Sequence, residues 1–277
     1  MKKFYFLLIA ICALSSCTSD SSSNTSTNPN LLQRIDFYPG LASERHWLFN
    51  THGLLTQITK ADGTVVQNFV YDTSNRLTSS TLFNTSGINE THTFTYDNND
   101  FVISVDGETV HYDAGVDAYY TGILNDRYRL TKINGDKLIV EGRTVIIETD
   151  ITGTNETRWA EMIVNYSNNN IMSYSPGDSC NSFTYDDKTN PIRNATLAIC
   201  KAFSFVSGSR WIDGLYNSAN NVLTHNYCSE DPESSVYHYT YNANNLPEAQ
   251  THDSYYHGTY ENTVASANYY YQGDVLP

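Results

Sequence analysis

The segment FVYDTSNRLT, residues 69–78, carries the pattern that decides the fold. Phe69 and Tyr71 are two positions apart, which is the period of a strand with one buried face. The run Asp-Thr-Ser-Asn at residues 72–75 is typical of a turn, because Asp and Asn bond to nearby backbone groups and tolerate positive φ. Leu77 then begins a second apolar stretch. The segment therefore predicts a β-hairpin with a short polar tip.

Variants of this unit recur along the chain, and such self-similarity indicates a repeat architecture. Each copy opens with an aromatic residue, continues through a polar run and ends at an apolar residue. The copies are FNTHGLL (49–55), YDTSNRL (71–77), YDNNDFV (96–102), YSNNNIM (166–172), YDDKTNPI (185–192), YNSANNV (216–222) and YNANNLP (241–247), with a partial copy at Tyr112-Asp113. The sequence therefore predicts an all-β fold, a large twisted antiparallel sheet that is built as a meander of consecutive hairpins.

The Asp or Asn after each aromatic residue is predicted to bind the backbone amides of its hairpin tip. Further tips are predicted at the Asp-Gly and Asn-Gly pairs of residues 62–63, 106–107 and 134–135, since these pairs are strong hairpin signals. The structural residues that we predict for the repeat turns are Tyr71, Asp72, Asn75, Tyr96, Asp97, Tyr185, Asp186, Asn190, Tyr241, Asn242 and Asn245.

One segment departs from the strand pattern. In PIRNATLAICKAFSF, residues 191–205, the apolar positions loosely follow the spacing of a helical face. A short helix or irregular excursion that covers one face of the sheet and a further strand are both compatible with this spacing. We expect at most one short helical insert, near residues 191–206.

The N-terminus has the features of a lipoprotein signal peptide over residues 1–16. Lys2 and Lys3 precede an apolar run that is too short to span a bilayer. The motif LSSC, which ends at Cys17, resembles the bacterial lipobox, and this resemblance implies that Cys17 is acylated after cleavage. The alternative is an ordinary signal peptide with an incidental cysteine.

The remainder of the chain divides into a tether and one domain. Residues 17–30 comprise the acylated cysteine and a Ser/Thr/Asn-rich tether, a composition typical of flexible linkers. Residues 31–277 form a single domain of β-hairpin repeats. Thr18 follows the cysteine where an inner-membrane retention signal would have Asp. We therefore predict a lipid anchor in the outer membrane of a Gram-negative bacterium, on the periplasmic side or the cell surface.

Three cysteines remain in the predicted domain, and export permits a disulfide. Cys180 falls at the start of one predicted strand and Cys228 at the end of a later strand of opposite direction. We predict a Cys180–Cys228 disulfide, with Cys180–Cys200 as the alternative. The cysteine and histidine spacings match no metal-binding pattern, so we predict neither a metal nor a cofactor.

Composition narrows the possible functions. The chain has 16 basic and 30 acidic residues and a net charge of −14, which argues against a nucleic-acid partner. A hydrophobic content of 40% with 13% aromatic residues excludes a disordered acidic tail. The sequence contains no GxSxG, HExxH or phosphate-binding glycine loop, so we predict no enzyme. Its many carboxylates leave one alternative, a hydrolase of envelope or dietary polysaccharide with paired carboxylates.

Tyrosine suggests where a partner would bind. The chain has 22 Tyr against 11 Phe, and Tyr237, Tyr239 and Tyr241 share one face of a predicted strand. Tyr combines a flat apolar ring with a hydroxyl, which suits contact with a glycan or a protein. The alternative is that these residues only line a half-buried strand face. We predict a non-catalytic cell-envelope module that binds a protein or glycan and contacts the membrane through Cys17.

The segment at residues 69–78 also resembles the YD repeat of Rhs-type proteins, in which Tyr-Asp is followed at a fixed distance by Gly-Arg-Leu. Looser copies extend over residues 49–250. Together with the lipobox and the polar tether, they resemble exported YD-repeat lipoproteins of Gram-negative bacteria. The resemblance implies a sheet of consecutive hairpins and a helical or loop insert after the YDDKTNP motif at 185–191. The chain has too few repeats for the toxin-enclosing shell of giant Rhs proteins, so toxin delivery is not implied.

Overall fold

The computed structural model describes residues 28–84, 87, 89–114, 118–120, 126–133, 137–149, 155–176, 180–203, 206, 214–228 and 232–277. These residues form nineteen strands and two short helices. None of the helices in these ranges is long and apolar enough to cross a membrane.

The strands precede and follow the two helices along the chain. Before the helices lie β1 (Leu32–Phe37), β2 (Arg45–Phe49), β3 (Leu55–Lys60), β4 (Val65–Tyr71), β5 (Leu77–Leu82), β6 (Glu90–Tyr96), β7 (Val102–Val105), β8 (Glu108–Thr109), β9 (His111–Asp113), β10 (Ala118–Tyr120), β11 (Asp126–Ile133), β12 (Lys137–Thr149), β13 (Asn155–Ser167), β14 (Asn170–Pro176) and β15 (Cys180–Thr189). Then come α1 (Pro191–Phe203), α2 (Gly214–Asn217), β16 (Asn220–Cys228), β17 (Glu233–Tyr241), β18 (Pro247–Tyr256) and β19 (Thr259–Tyr271).

Consecutive strands pair antiparallel from β1 to β8 and again from β9 to β19. Strand β1 pairs with β2 on one side and with β19 on the other, so Ile35 lies opposite both Trp47 and Tyr269. The first and last strands are therefore neighbours in the sheet. The predicted all-β meander of antiparallel hairpins is confirmed.

The hairpin tips are stabilised by the residue that follows each aromatic. Asp72 Oδ1 accepts hydrogen bonds from the backbone amides of Ser74 at 2.9 Å and Arg76 at 3.0 Å. Because these amides have no strand partner, the side chain satisfies groups that the turn would otherwise leave unpaired. The same two bonds, to the amides two and four residues later, form at Asn50, Asp97 and Asn242.

A second feature of the tips explains the choice between Asn, Asp and Gly. In each of these four tips one residue has a positive φ. Residues other than Gly, Asn and Asp adopt this backbone conformation only at a cost in free energy. The residues with positive φ are Gly53, Asn75, Asp100 and Asn245, with φ of 76°, 62°, 61° and 59°. The tips predicted at 62–63 and 106–107 also form, with positive φ at Gly63 and Gly107, whereas the tip at 134–135 lies outside the described residues.

Tyrosine hydroxyls connect one hairpin to the next. Tyr71 Oη donates to the Leu55 carbonyl at 2.6 Å, and Tyr96 Oη donates to the Leu77 carbonyl at 2.8 Å. Each acceptor is the apolar residue that follows an earlier tip, and each is fully buried. Equivalent bonds run from Tyr185 to Ile171, from Tyr239 to Val222 and from Tyr271 to Pro247. Part of the tyrosine excess is thereby explained by the packing of successive hairpins.

We expect the Tyr71→Phe variant to lose about 1–2 kcal/mol of unfolding free energy, because the buried Leu55 carbonyl would lose its partner. Urea unfolding followed by circular dichroism measures this difference. Tyr256 is 41% exposed, so Tyr256→Phe serves as a control and should change stability by less than about 0.5 kcal/mol. Equal effects of the two substitutions would contradict a stabilising role for the hydroxyl.

The insert between β15 and β16 begins as predicted, with a helix. Asn190 Oδ1 accepts from the Ile192 amide at 3.0 Å, and Pro191 takes the first helical position, so this end of α1 is capped. The side-chain Nδ2 of Asn190 also donates hydrogen bonds to the backbone carbonyls of Leu215 at 2.9 Å and Ser218 at 3.1 Å. These bonds fix the position of α2, a helix of four residues. At most one helical insert was expected from sequence, so α2 is an additional helix.

Helix α1 packs against the sheet through one apolar face. Ile192, Ala195, Ile199 and Phe203 are buried in the main core together with residues of β1 to β7 and β19. A smaller cluster of Ile171, Phe183, Val222 and Tyr237 lies on strands β14 to β17, with Leu215 packed against it. The insert therefore covers part of the sheet face between the two ends of the chain.

Candidate ligand-binding cavity

A cavity of about 340 Å³ lies where β1 and β2 meet β16 to β19 beneath the α1–α2 insert. Small-molecule pockets in proteins generally have volumes of about 300–1,000 Å³. The cavity depends on the β1–β19 pairing, which brings the N-terminal hairpin beside the last strands. It thus has the size and the concave setting of a site for one small ligand.

Aromatic side chains supply eight of its nineteen described lining residues. Trp47 is central, with its ring centroid 4.9 Å from that of Phe37 and 5.5 Å from that of Tyr216. Strand alternation places Trp47 on the inner face of β2, and α2 supplies Tyr216 from above. The other aromatic lining residues are Tyr38, Tyr227, Tyr237, Tyr239 and Tyr269.

Polar groups are set between these rings. Gln250 Nε2 donates to Tyr239 Oη at 2.7 Å, and this hydroxyl donates in turn to the Val222 carbonyl at 3.0 Å. His252 Nδ1 lies 2.6 Å from Ser266 Oγ. Burial lowers the pKa of His252, and the neighbouring Asp253 opposes this shift only in part, so the imidazole is neutral at pH 7. The cavity can therefore exchange hydrogen bonds with a ligand without a charged histidine.

The charge of the cavity differs from that of the whole chain. Among its described lining residues there is no Asp or Glu, although the chain has 30 acidic residues. Arg45 is the one Lys or Arg in the same lining. A hydrolase that acts through two carboxylates needs both beside its substrate, so this cavity gives that alternative no support.

The predicted tyrosine face is divided between two environments. Tyr237 and Tyr239 line the cavity, and Tyr237 is only 9% exposed because the insert packs over this face. Tyr241 lies outside the lining and donates its hydroxyl to Asp186. The three residues therefore do not form an exposed row of aromatic rings. This strand presents no broad protein-binding surface at these three positions.

The cysteine positions follow the register of two neighbouring strands. Strands β15 and β16 pair antiparallel, with Cys180 directly opposite Cys228. Cys200 lies on α1, where it is 2% exposed and carries a reduced thiol. Residues 1–27, which include Cys17, lie outside the described residues, so the signal peptide and the acylation remain predictions.

A cluster of charged residues on β1, on β2 and directly before β2 was not predicted. One ligand atom from each of Asp36, Glu44 and His46 lies within 4.8 Å of the others. Arg34 occupies the centre of this group, where it donates two hydrogen bonds to Asp36 and its Nη2 lies 3.2 Å from His46 Nε2. The guanidinium thus already supplies the compensating positive charge. The register of β1 and β2 brings the cluster together, since Asp36 lies opposite His46 and Glu44 directly precedes β2.

Of the predicted turn residues, Tyr71, Asp72, Asn75, Tyr96, Asp97, Tyr241, Asn242 and Asn245 lie at or beside hairpin tips. The prediction was wrong for the copy at 185–192, because Tyr185 and Asp186 lie within β15 and Asn190 caps α1, which begins at Pro191 in place of a return strand.

The residues of the cavity were largely missed. Arg45 and Trp47 belong to no motif, and His252 lies in a short stretch of sequence with Asp253 and His257. These three do not assemble, since Asp253 accepts hydrogen bonds from His238 and Thr263 while His252 lines the cavity. The sequence offered one signal for the cavity: Arg45 and Trp47 are two positions apart and therefore lie on the same face of a strand.

Comparison with known proteins gives a family match over part of the chain and matches to solved structures. Residues 49–86, which contain the first two copies of the repeat unit and the tip at 62–63 between them, match the family model of the RHS repeat. No curated protein is significantly similar to the chain.

Two of the similar solved structures are porin-like proteins. One, from Bacteroides uniformis, has 12% identity and a TM-score of 0.44, and the match covers 88% of this chain and 98% of that protein. Another, from Bacteroides vulgatus, has 10% identity and a TM-score of 0.28, with coverages of 70% and 97%. Likenesses at this level assign no function. What the comparisons establish is that residues 49–86 are similar to an RHS repeat.

Proposed function

We propose that the protein is a cell-envelope lipoprotein, anchored through acylated Cys17, that binds a saccharide in its aromatic cavity without chemically altering it. The observation that carries this proposal is the cavity of about 340 Å³ in which Trp47 and several tyrosines surround a few hydrogen-bonding groups. Sites for small ligands typically combine apolar and aromatic walls with a small number of placed polar groups.

The mixture of lining residues favours a saccharide over other small ligands. A sugar ring presents apolar faces, which stack on aromatic rings, and hydroxyls at its edge. An aliphatic ligand would leave Ser235, Gln250 and His252 facing an apolar surface, which costs free energy for each polar group left without a partner. An extended protein partner would find little of Tyr237, which is only 9% exposed.

The proposed location comes from the N-terminal sequence. One acyl chain gives only marginal membrane binding, whereas several chains on Cys17 would anchor the protein stably. Residues 18–30 would hold the domain clear of the lipid headgroups on a flexible tether. An acidic chain of net charge −14 has no electrostatic attraction to an anionic membrane surface, so an anchor suits it.

Fluorescence titration tests the proposed binding. Full-length protein in detergent, titrated with a panel of neutral and acidic oligosaccharides, should show a saturable change in emission, because Trp47 lines the cavity. Trp47→Phe should remove most of this change, while calorimetry still detects binding.

The matched variants in this test are Tyr227→Ala and Tyr256→Ala. Both side chains are similarly exposed, at 40% and 41%, but only Tyr227 lines the cavity. Tyr227→Ala should weaken affinity by about tenfold, and Tyr256→Ala should leave it unchanged. Absence of binding by every saccharide in the panel, or release of cleaved sugar, would contradict the proposal.

A further inference from the structure

We infer that the ligand of the cavity is an acidic saccharide whose carboxylate is bound by Arg45. This inference rests on the proposed saccharide-binding function and narrows its ligand to sugars of the uronic acid type.

The cavity differs in charge from the rest of the protein. The protein carries 30 acidic residues, yet its described cavity lining contains none of them and does contain Arg45. An arginine inside a concave, partly desolvated site normally pairs with a carboxylate, because its planar fork matches the two carboxylate oxygens. In the described part of the chain, no carboxylate forms an ion pair with Arg45.

The adjacent acidic residue is engaged elsewhere. Glu44 Oε1 lies 2.7 Å from His46 Nε2, and Glu44 Oε2 accepts from the Gly40 amide at 2.7 Å. Arg45 contacts Glu44 only through the backbone, since Nη1 donates to the Glu44 carbonyl at 2.7 Å. The charge of Arg45 is therefore not neutralised by its neighbour, and most of its donors stay available for a ligand.

Arg45 is also positioned beside the aromatic residues of the cavity. Arg45 lies opposite Phe37 in the β1–β2 register and two residues before Trp47, so all three side chains belong to the inner face of this hairpin. Opposite residues on paired strands have Cβ atoms only about 4.5–5.5 Å apart. A ring stacked on Phe37 or Trp47 would thus carry its substituents within reach of the guanidinium.

Among the described lining residues, Arg45 is the one side chain that is positively charged at pH 7. His252, the other basic lining residue, is neutral at pH 7 because burial lowers its pKa. It can exchange a hydrogen bond with a sugar hydroxyl, but it provides no permanent positive charge. Recognition of an anion at neutral pH would therefore depend on Arg45 alone among the described lining residues.

The test uses short oligogalacturonides and their methyl esters. The two ligands share rings and hydroxyls, but only the free acids carry carboxylates. Full-length protein should bind the free acids at least about tenfold more tightly than the esters, as expected for charge-assisted bonds. The Arg45→Gln variant should lose this difference and keep its weak affinity for the esters.

A matched charge control is available on the neighbouring strand. Lys60 pairs with Arg45 across β2 and β3 but does not line the cavity, so Lys60→Gln removes the same charge nearby. Retention of the acid preference in Lys60→Gln supports direct contact with Arg45, and its loss there to the same extent overturns it. Equal affinities for acids and esters would overturn the inference while the proposed function stands. Binding of no saccharide at all would overturn both.

Discussion

Phe203→Ala is expected to lower the free energy of unfolding by about 3–5 kcal/mol, the usual cost of removing a buried aromatic ring. Phe203 lies at the end of α1 and is only 6% exposed. Its ring centroid is 5.5 Å from that of Phe94 and 5.7 Å from that of His92, both on β6. Truncation would therefore leave a cavity between the helix and the sheet that neighbouring strands cannot fill.

Denaturant unfolding measures this loss, and a second substitution in α1 controls for the helix itself. Asn194 is exposed on the same helix, so Asn194→Ala should change stability by less than about 0.5 kcal/mol. If Phe203→Ala were as mild as Asn194→Ala, α1 would not be part of the core. The saccharide titration on Phe203→Ala then shows whether displacement of the insert also disturbs the cavity wall at Ile192.

The hairpins could be predicted from sequence because their determinants are local. The bonds from Asp72 to Ser74 and Arg76 span at most four residues, and positive φ at Asn75 depends on that residue alone. Such short-range chemistry is visible in one stretch of sequence. The start of the insert was equally accessible, because Asn190 caps the helix and Pro191 opens it.

The cavity could not be predicted, because its walls come from distant parts of the chain. Phe37 lies opposite Ala267 in the β1–β19 pairing, 230 positions away in the sequence. The register of this pairing decides that Trp47 and Tyr269 share a cavity, and no turn residue specifies it. The burial of Tyr237 and Tyr239 could not be predicted for the same reason. Strand alternation predicts which residues share a face, but it does not predict that α2 covers that face.

The second large effect concerns the predicted disulfide. Replacing Cys180 and Cys228 together by serine should lower the unfolding free energy of the exported protein by about 2–4 kcal/mol. The two residues are directly opposite in the β15–β16 pair, where Cα atoms are about 4.5–5.5 Å apart, within the range that a disulfide spans. The bond would close the loop that contains α1 and α2, and so restrict the unfolded chain.

Thiol alkylation of denatured protein from the envelope tests the bond directly. Without reductant, only Cys200 of the three domain cysteines should react, and after reduction all three should react. Reductant should also destabilise the native protein, whereas the Cys180→Ser/Cys228→Ser variant should be insensitive to it. Cys200→Ala is the matched control, because it removes a buried thiol on α1 and should leave the response to reductant intact.

Peptide mapping distinguishes the remaining alternatives. A bridged peptide that contains Cys180 and Cys228 is expected, because the strand register places the two residues face to face. A bridged peptide that contains Cys180 and Cys200 would instead support the alternative pairing. Three reactive thiols without reductant would show that the strands pair without a covalent bond. Hydrogen bonds and packing would then be the only links between β15 and β16 at this end.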